Sequence, residues 1–426
     1  MGKLAILVGG GPAPGINSVI AAATIRARIE GLEVVGIRDG FQWIMQGDAD
    51  RVQPLDFQVV SRTHFRGGSI LGTARANPTK SPATLEAVVQ SLERLGVSRL
   101  ITIGGDDTAF SAMKVQEQSS GRVRVVHVPK TIDNDLDLPP YVDTFGYQSA
   151  RHYGVDIVKN LMVDARTTSR WYFVVAMGRT AGHLALGIGK AAGATITLIA
   201  EEFTARPIRL RNIVDTLVAA IIKRQTLGRL DGVAVVAEGV SLAIAPEDLA
   251  EVASADRDEH GHIRLAEVNL GAILKVRAAA RLKELGVKAN IAEKDIGYEL
   301  RCADPIPFDI EYTRDLGYCA AKYLIEGGSA AMISLQGGQF VPVPFAKMID
   351  PATGRTRVRL VDIASTRYAI ARRYMVRLRK DDFEDTAELA RLAAVAKMTP
   401  EAFRREFEGL VATEPPALTL AASAGR

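Results

Sequence analysis

Short runs of aliphatic and β-branched residues alternate along this chain with longer stretches whose apolar positions return every three or four residues. The short runs fit buried strands and the longer ones amphipathic helices. "KLAILVG" reads as a strand, "INSVIAAATIRARIEG" as a helix and "EVVGIRDG" as the next strand; "TLEAVVQSLERLG" is a helix, followed by the strands "RLITIGG" and "VRVVHVP". A second set begins near Gln148 with the helix "SARHYGVDIVKNLMVDART", the strand "WYFVVAMG", the helix "TAGHLALGIGKAAG" and the strands "TITLIAEE" and "GVAVVAEG". Strands that alternate with helices predict the α/β class: two Rossmann-like lobes with largely parallel sheets flanked by helices, the active site in the cleft between them. Basic helical patterns, "STRYAIARRYMVRLRK" and "TAELARLAAVAK", follow, and Thr399-Pro400 reads as a further helix start because proline fits the first turn. The predicted division is residues 1–141 with about 303–350, then about 142–302, then a helical C-terminal extension over about 351–412 and a mobile tail at 413–426.

A length of 426 residues suits two cores rather than one. Lys and Arg exceed Asp and Glu by only 53 − 49 = 4, which gives no support to a nucleic-acid partner. Cys302 and Cys319 are the only cysteines, as expected in a reducing compartment. No signal-peptide series precedes the first strand, and the most apolar long region, His183 to Ala200, contains Lys190 and several glycines, unlike a membrane span. A cytoplasmic protein without a membrane partner is the expectation.

Candidate chemistry gathers where strands end. "LVGGGPAPGIN" places Gly9, Gly10 and Gly11 between a strand and a helix, which fits either a tight turn or a backbone cradle for phosphate. It matches neither the Walker pattern nor GxGxxG. "TIGGDDTAF" sets Asp106 and Asp107 at a helix start; Asp107 or Thr108 could cap that helix, leaving Asp106 as the candidate Mg²⁺ ligand. "HVPKTIDNDLDLP" crowds Asp133, Asp135 and Asp137 behind Lys130. In an extended loop Asp133 and Asp135 would point the same way, and a carboxylate there could take a proton from an attacking hydroxyl; a solvated acidic loop is the plain alternative, and Asp137 reads as a surface acid.

These three segments, with "MGRTAGHLAL", Glu238 of "VVAEG" and "GYELRCADPIPFD", resemble the phosphofructokinase family in order and spacing over most of residues 1–345. The resemblance implies a phosphoryl-donor and Mg²⁺ lobe formed by the chain's first part and a sugar-phosphate lobe by its second. It implies that Asp106 is the Mg²⁺-linked aspartate and that Asp133 is the base for the sugar's 1-hydroxyl, with Thr131 beside it. Met177, Gly178 and Arg179 match the segment that holds the sugar phosphate, Glu238 a sugar-hydroxyl ligand, and Arg301, with Tyr298 nearby, a phosphate-binding arginine. Arg170 matches an arginine that reaches into a neighbouring subunit's site, which implies a homodimer or homotetramer. Gly11 and Arg75 fall where the family meets its phosphoryl donor. The chain departs from many relatives at Pro12, at "RCADP" and at Tyr298, and Ala292 stands where a second subunit-bridging arginine is expected, with Lys288 or Lys294 as possible substitutes.

The ATP-using members typically carry glycine at the positions of Asp107 and Lys130, which leaves room for a nucleotide. Here "GGDD" and "PKTIDND" fill both places and resemble the pyrophosphate-using branch. A lysine at 130 can neutralise the leaving group, since one unit pair at about 4 Å is worth about 4 kcal/mol at an effective dielectric near 20. A bridge between Lys130 and Asp107 would serve the fold and could orient the lysine as well. The implied reaction is reversible transfer from pyrophosphate to the 1-hydroxyl of fructose 6-phosphate; the alternatives are an ATP-dependent enzyme and a non-catalytic sugar-phosphate sensor.

Overall fold

Three sheets organise the described part of the chain, residues 2–250, 269–352 and 356–420 of a computed structural model. In chain order the strands are β1 (Lys3–Val8), β2 (Val34–Ile37), β3 (Val52–Leu55), β4 (Val97–Gly104), β5 (Arg124–Pro129), β6 (Trp171–Ala176), β7 (Ile196–Leu198), β8 (Gly232–Ala237), β9 (Ile291–Ile296), β10 (Ala331–Met332), β11 (Leu335–Gln336), β12 (Gln339–Phe340) and β13 (Val343–Pro344). The chain divides into two units, Met1–Tyr153 with Tyr298–Arg359, and Gly154–Gly297 with Leu360–Arg426. Residues 251–268 of the expected second lobe, 353–355 of the expected extension and 421–426 of the expected tail lie outside the described residues.

The first unit carries a seven-stranded sheet in the order β13-β10-β5-β4-β1-β2-β3. Its centre is parallel, while β3 and β13 run antiparallel at the two edges. The period of two in a strand sends Leu4, Ile6 and Val8 to one core and Ala5 and Leu7 to another, so both faces are covered. That explains why β1 reads as an unbroken apolar run rather than an alternating one. Because β5, β4 and β1 are neighbours, the loops at their carboxyl ends emerge side by side, and these are the loops bearing Lys130, Asp106 and Gly11. Asp309, fully buried on the helix Pro307–Ile325, secures the exit of the aspartate loop. Its carboxylate accepts from the amides of Gly146 (2.9 Å) and Ser149 (2.7 Å) and from Ser149 Oγ (2.6 Å), at the start of the helix Tyr147–Thr168.

The second unit holds a four-stranded parallel sheet, β7-β8-β6-β9, with Trp171 and Phe173 of β6 fully buried. The strand expected over "TITLIAEE" is shorter: β7 ends at Leu198 and a 3₁₀ turn follows at Ala200–Glu202. There the Glu202 carboxylate accepts from Tyr368 Oη (2.8 Å) and Arg377 Nη1 (2.9 Å). The helix expected over 365–380 is likewise broken, into Thr366–Tyr374 and Lys380–Glu384. The break is held by Val376 N donating to Thr195 O at 2.8 Å and by the Arg379 guanidinium bonding the carbonyls of Arg372 and Arg373. Basic residues of the extension are therefore partly turned inward onto acids rather than spread over a solvated face. Thr399 caps the last helix, Pro400–Phe407, by accepting from Ala402 N at 3.2 Å, as the sequence suggests. Among the described residues no helix is long and apolar enough to cross a membrane.

Candidate active site

In the first unit the glycine loop after β1 lies against residues 73–75. Gly10 N donates to Ala74 O at 3.0 Å and Thr73 Oγ1 to Gly10 O at 2.7 Å, which brings the exposed Arg75 to this loop. Gly11 allows a close approach: a Cβ there would sit 2.5 Å from Arg301 Nη1, the end of a side chain that would have to shift. Arg301 stacks on the exposed Tyr298 ring, Cζ 4.7 Å from its centroid, and its Nε is buried without a hydrogen-bond partner. An orphaned guanidinium donor beside a glycine-rich turn suits an oxyanion. Tyr298 and Arg301, expected with the sugar lobe, thus pack with the first unit.

Asp106 and Asp107 open the helix Asp106–Gln118 with exposed side chains. Neither Asp107 nor Thr108 caps it; the N-cap is Gly105, with no side-chain cap bond, and Thr108 is buried. That leaves both carboxylates directed to the outside at the positive end of the helix. No group of three or more His, Cys, Asp or Glu able to hold a metal occurs among the described residues. A single carboxylate nevertheless fits a Mg²⁺ ion that keeps its waters and is shared with substrate phosphates.

Lys130 is 5% exposed. Its amide donates to Gly104 O at 2.7 Å and its ammonium donates to Gly11 O, spanning the ends of β5, β4 and β1. Burial pulls its pKa down from 10.5 to about 8, with Arg301 and Arg75 pushing the same way and Asp133 and Asp135 opposing. A buried cation between two arginines and two aspartates is held charged mainly by the acids, and an incoming anion would strengthen it. His127, unassigned at the sequence level, supports this arrangement: fully buried, it is neutral, its pKa down to about 3 through desolvation. Its Nε2 therefore donates to Gly104 O at 2.9 Å while Nδ1 meets Thr102 Oγ1 at 2.8 Å.

Along the aspartate loop burial alternates: Thr131, Asp133 and Asp135 are half-buried, Ile132, Asn134, Leu136 and Leu138 buried, and Asp137 exposed beside Arg357. Asp133 and Asp135 share the same partial exposure, but the residue between them is left-handed, so the loop is not the extended one for which a common direction was expected. Thr131 Oγ1 accepts from Asp133 N at 3.0 Å, fixing the backbone of Asp133 relative to its neighbour. The pivot is Asn134, another residue that sequence reading passed over, with φ 56° in the left-handed region. Its Oδ1 accepts from Thr144 N at 2.9 Å and its Nδ2 donates to Asp143 Oδ1 at 2.8 Å.

The second unit carries the remaining candidates. Met177 N donates to Ile296 O at 2.9 Å, prolonging the β6–β9 pairing, and Gly178 follows at φ 145°, which a side chain rarely permits. Gly178 N donates to Glu238 Oε2 at 3.3 Å and Gly239 N to Gly178 O at 3.0 Å, so Glu238 abuts the Met177–Arg179 turn, and Arg179 is exposed. Glu201, missed from sequence, ties this turn down by accepting from Gly182 N (2.8 Å) and Val361 N (3.1 Å). Arg170 lies apart from them, ahead of β6, with Nε 3.9 Å from Asp164 Oδ2.

The family pattern described as Phosphofructokinase matches residues 3–324, three quarters of the chain, and it takes in every sequence-predicted site residue at the two loop clusters. The chain belongs to the phosphofructokinase family. Within it, the chain is 54% identical over 410 residues to a pyrophosphate–fructose 6-phosphate 1-phosphotransferase of Thermotoga maritima, covering 95% of this chain and 98% of that protein. It is 49% identical over 417 residues to a protein of the same name from Naegleria fowleri, covering 96% and 95%. Among solved structures, a pyrophosphate-dependent phosphofructokinase from Nitrosospira multiformis superposes with a TM-score of 0.65 at 15% identity, covering 92% of this chain and 91% of that one. At that identity the match speaks for a phosphofructokinase fold, in agreement with the parallel sheets and flanking helices expected from the pattern.

Proposed function

We propose that the chain transfers a phosphoryl group reversibly between pyrophosphate and the 1-hydroxyl of fructose 6-phosphate, giving fructose 1,6-bisphosphate and phosphate. The names of the Thermotoga and Naegleria relatives support this activity. The observation in the structure that carries it is the buried Lys130 ammonium at the Gly11 carbonyl, in the field of Arg75 and Arg301. That arrangement puts fixed positive charge where ATP-using members have glycine, and with Asp107 it favours a compact inorganic donor. Lys130, Arg75 and the Gly11 turn hold pyrophosphate; Arg301 and Tyr298 serve phosphate oxygens. Asp133 accepts the proton of the sugar hydroxyl as it attacks phosphorus, and Thr131 keeps that carboxylate in place. Met177, Gly178 and Arg179 hold the sugar phosphate and Glu238 a sugar hydroxyl. Asp106 would hold Mg²⁺, which when bound neutralises charge on the phosphates.

In this reading Arg170 serves the site of a neighbouring subunit in a homodimer or homotetramer, and the protein works in the cytoplasm. The double variant Asp107→Gly with Lys130→Gly tests the donor assignment. Pyrophosphate-driven turnover should collapse by about 100-fold or more, the cost of losing a preorganised charge at the reacting phosphate. An unaltered rate would refute the assignment.

A further inference from the structure

Arg359 lies beyond the residues that match the family and matches no motif in the sequence. Its guanidinium is turned onto the aspartate loop. Nε and Nη2 donate to Asn134 O at 3.1 and 3.0 Å, and Nη2 also reaches Asn134 Oδ1. Nη1 donates to the carbonyls of Leu138 (3.2 Å), Pro139 (3.0 Å) and Val142 (2.8 Å). The Arg359 amide adds a bond to Asp135 O at 2.7 Å, and Leu136 pairs with Val358 in an antiparallel bridge.

Four backbone carbonyls thus converge on one cation. Aligned carbonyl dipoles at such a point repel one another unless a donor-rich positive group occupies it, and a guanidinium, with five N–H donors in a fixed planar fork, can serve four carbonyls where an ammonium has three donors. Asn134, which takes bonds at both its backbone and side-chain oxygens, stands between Asp133 and Asp135 in a conformation that costs energy for a non-glycine residue. Release of the guanidinium would let that residue relax and turn its neighbours.

We infer that Arg359 is a positioning residue for the transfer step, fixing the backbone of residues 133–135 so that the Asp133 carboxylate meets the sugar hydroxyl. The inference rests on the proposed reaction, and it gives the start of the C-terminal extension a part in that chemistry. Arg359 touches backbone rather than substrate, so its loss should appear in kcat and leave the binding of sugar phosphate largely intact.

The test uses the full chain and the variants Arg359→Ala and Arg359→Lys, assayed with pyrophosphate, Mg²⁺ and fructose 6-phosphate, with hydrogen–deuterium exchange on the same proteins. Wild-type turnover is measured first, so a wrong reaction assignment shows there and a wrong role for Arg359 shows only in the variants. For Arg359→Ala kcat should fall about 100-fold, as for a reacting group displaced by about 1 Å, with KM for fructose 6-phosphate changed less than about threefold. Amides of residues 131–146 should exchange faster while those of β1 do not, and added ethylguanidine should recover part of the lost kcat. Arg359→Lys, a point charge without the fork, should fall between the two. A kcat within about threefold of wild type, a lost kcat with unchanged exchange at 131–146, or exchange that rises equally in β1 would each overturn the role.

Discussion

In the proposed reaction the loop after β5 and the loop after β6 both carry groups for phosphate chemistry, yet they differ in whether the charged group is buried or exposed. The first is pinned along its length by Asn134, Thr144, Asp143 and Arg359, and its lysine is buried. The second turns on Gly178, is held through backbone bonds of Met177 and Gly178 and by the Glu201 and Glu238 carboxylates, and presents Arg179 on the surface. The difference matches what each would have to do in the proposed reaction. A base and a leaving-group cation act only at the moment of transfer, and they gain most from being fixed beforehand in a water-poor place. A phosphate clamp acts through the ground state and can be completed by its ligand. Changes in the first loop should therefore strike kcat, and changes in the second KM.

The largest effect is expected at Asp133. Replacement by serine removes the base, and turnover should drop by about 10³-fold with sugar binding retained. Retained turnover would break the contrast, whereas binding without turnover in the wild type would point to a sensor.

Lys130→Met should cost about 10²-fold in pyrophosphate turnover. The wild type should also lose activity as pH rises through about 8, where Lys130 gives up its proton. Stability responds with the opposite sign. Between about 8 and 10.5 the unfolded lysine is protonated and the folded one is not, so this group's contribution to stability rises with pH there. Chemical denaturation at pH 7.5 and 9.5 should show that increment in the wild type and its absence in Lys130→Met.

Much of the scaffold could be read from the chain because buried parallel strands announce themselves: β1, β4 and β5 stand close to where the apolar runs put them, and their loops bear the acids and glycines expected at carboxyl ends. Local patterns could not reveal partners far along the chain. Arg359 and Asn134 are 225 residues apart, and nothing around either marks the other. The left-handed turn at Asn134 and the neutral His127 were hidden for the same reason, since both depend on neighbours supplied by the sheet order. In the extension, the sequence pattern suggested one unbroken basic helix over residues 365–380. The break at Met375 to Arg379 arises from inward pairing with Glu202 and Thr195, which periodicity cannot register.

A milder change sharpens the contrast from the other side. Arg179→Ala should raise KM for fructose 6-phosphate about tenfold to 100-fold, the worth of a charge-assisted phosphate contact, with kcat at saturation reduced far less. Steady-state titration of the sugar phosphate reads it directly; a fall confined to kcat would erase the proposed division of labour.

The smallest effect belongs to Gly11→Ala. The added methyl meets the end of a flexible side chain, Arg301 Nη1, which can move aside, so KM for pyrophosphate should rise only about threefold.

The central claim is that charge and bulk from Lys130 and Asp107 select a small inorganic donor. Initial rates of the purified wild-type chain with fructose 6-phosphate and Mg²⁺, offered pyrophosphate or ATP in parallel, test it most directly. The expected result is kcat/KM for pyrophosphate at least about 100-fold above that for ATP, a discrimination of about 2.7 kcal/mol. Equal use of the two donors, or a preference for ATP, would contradict it.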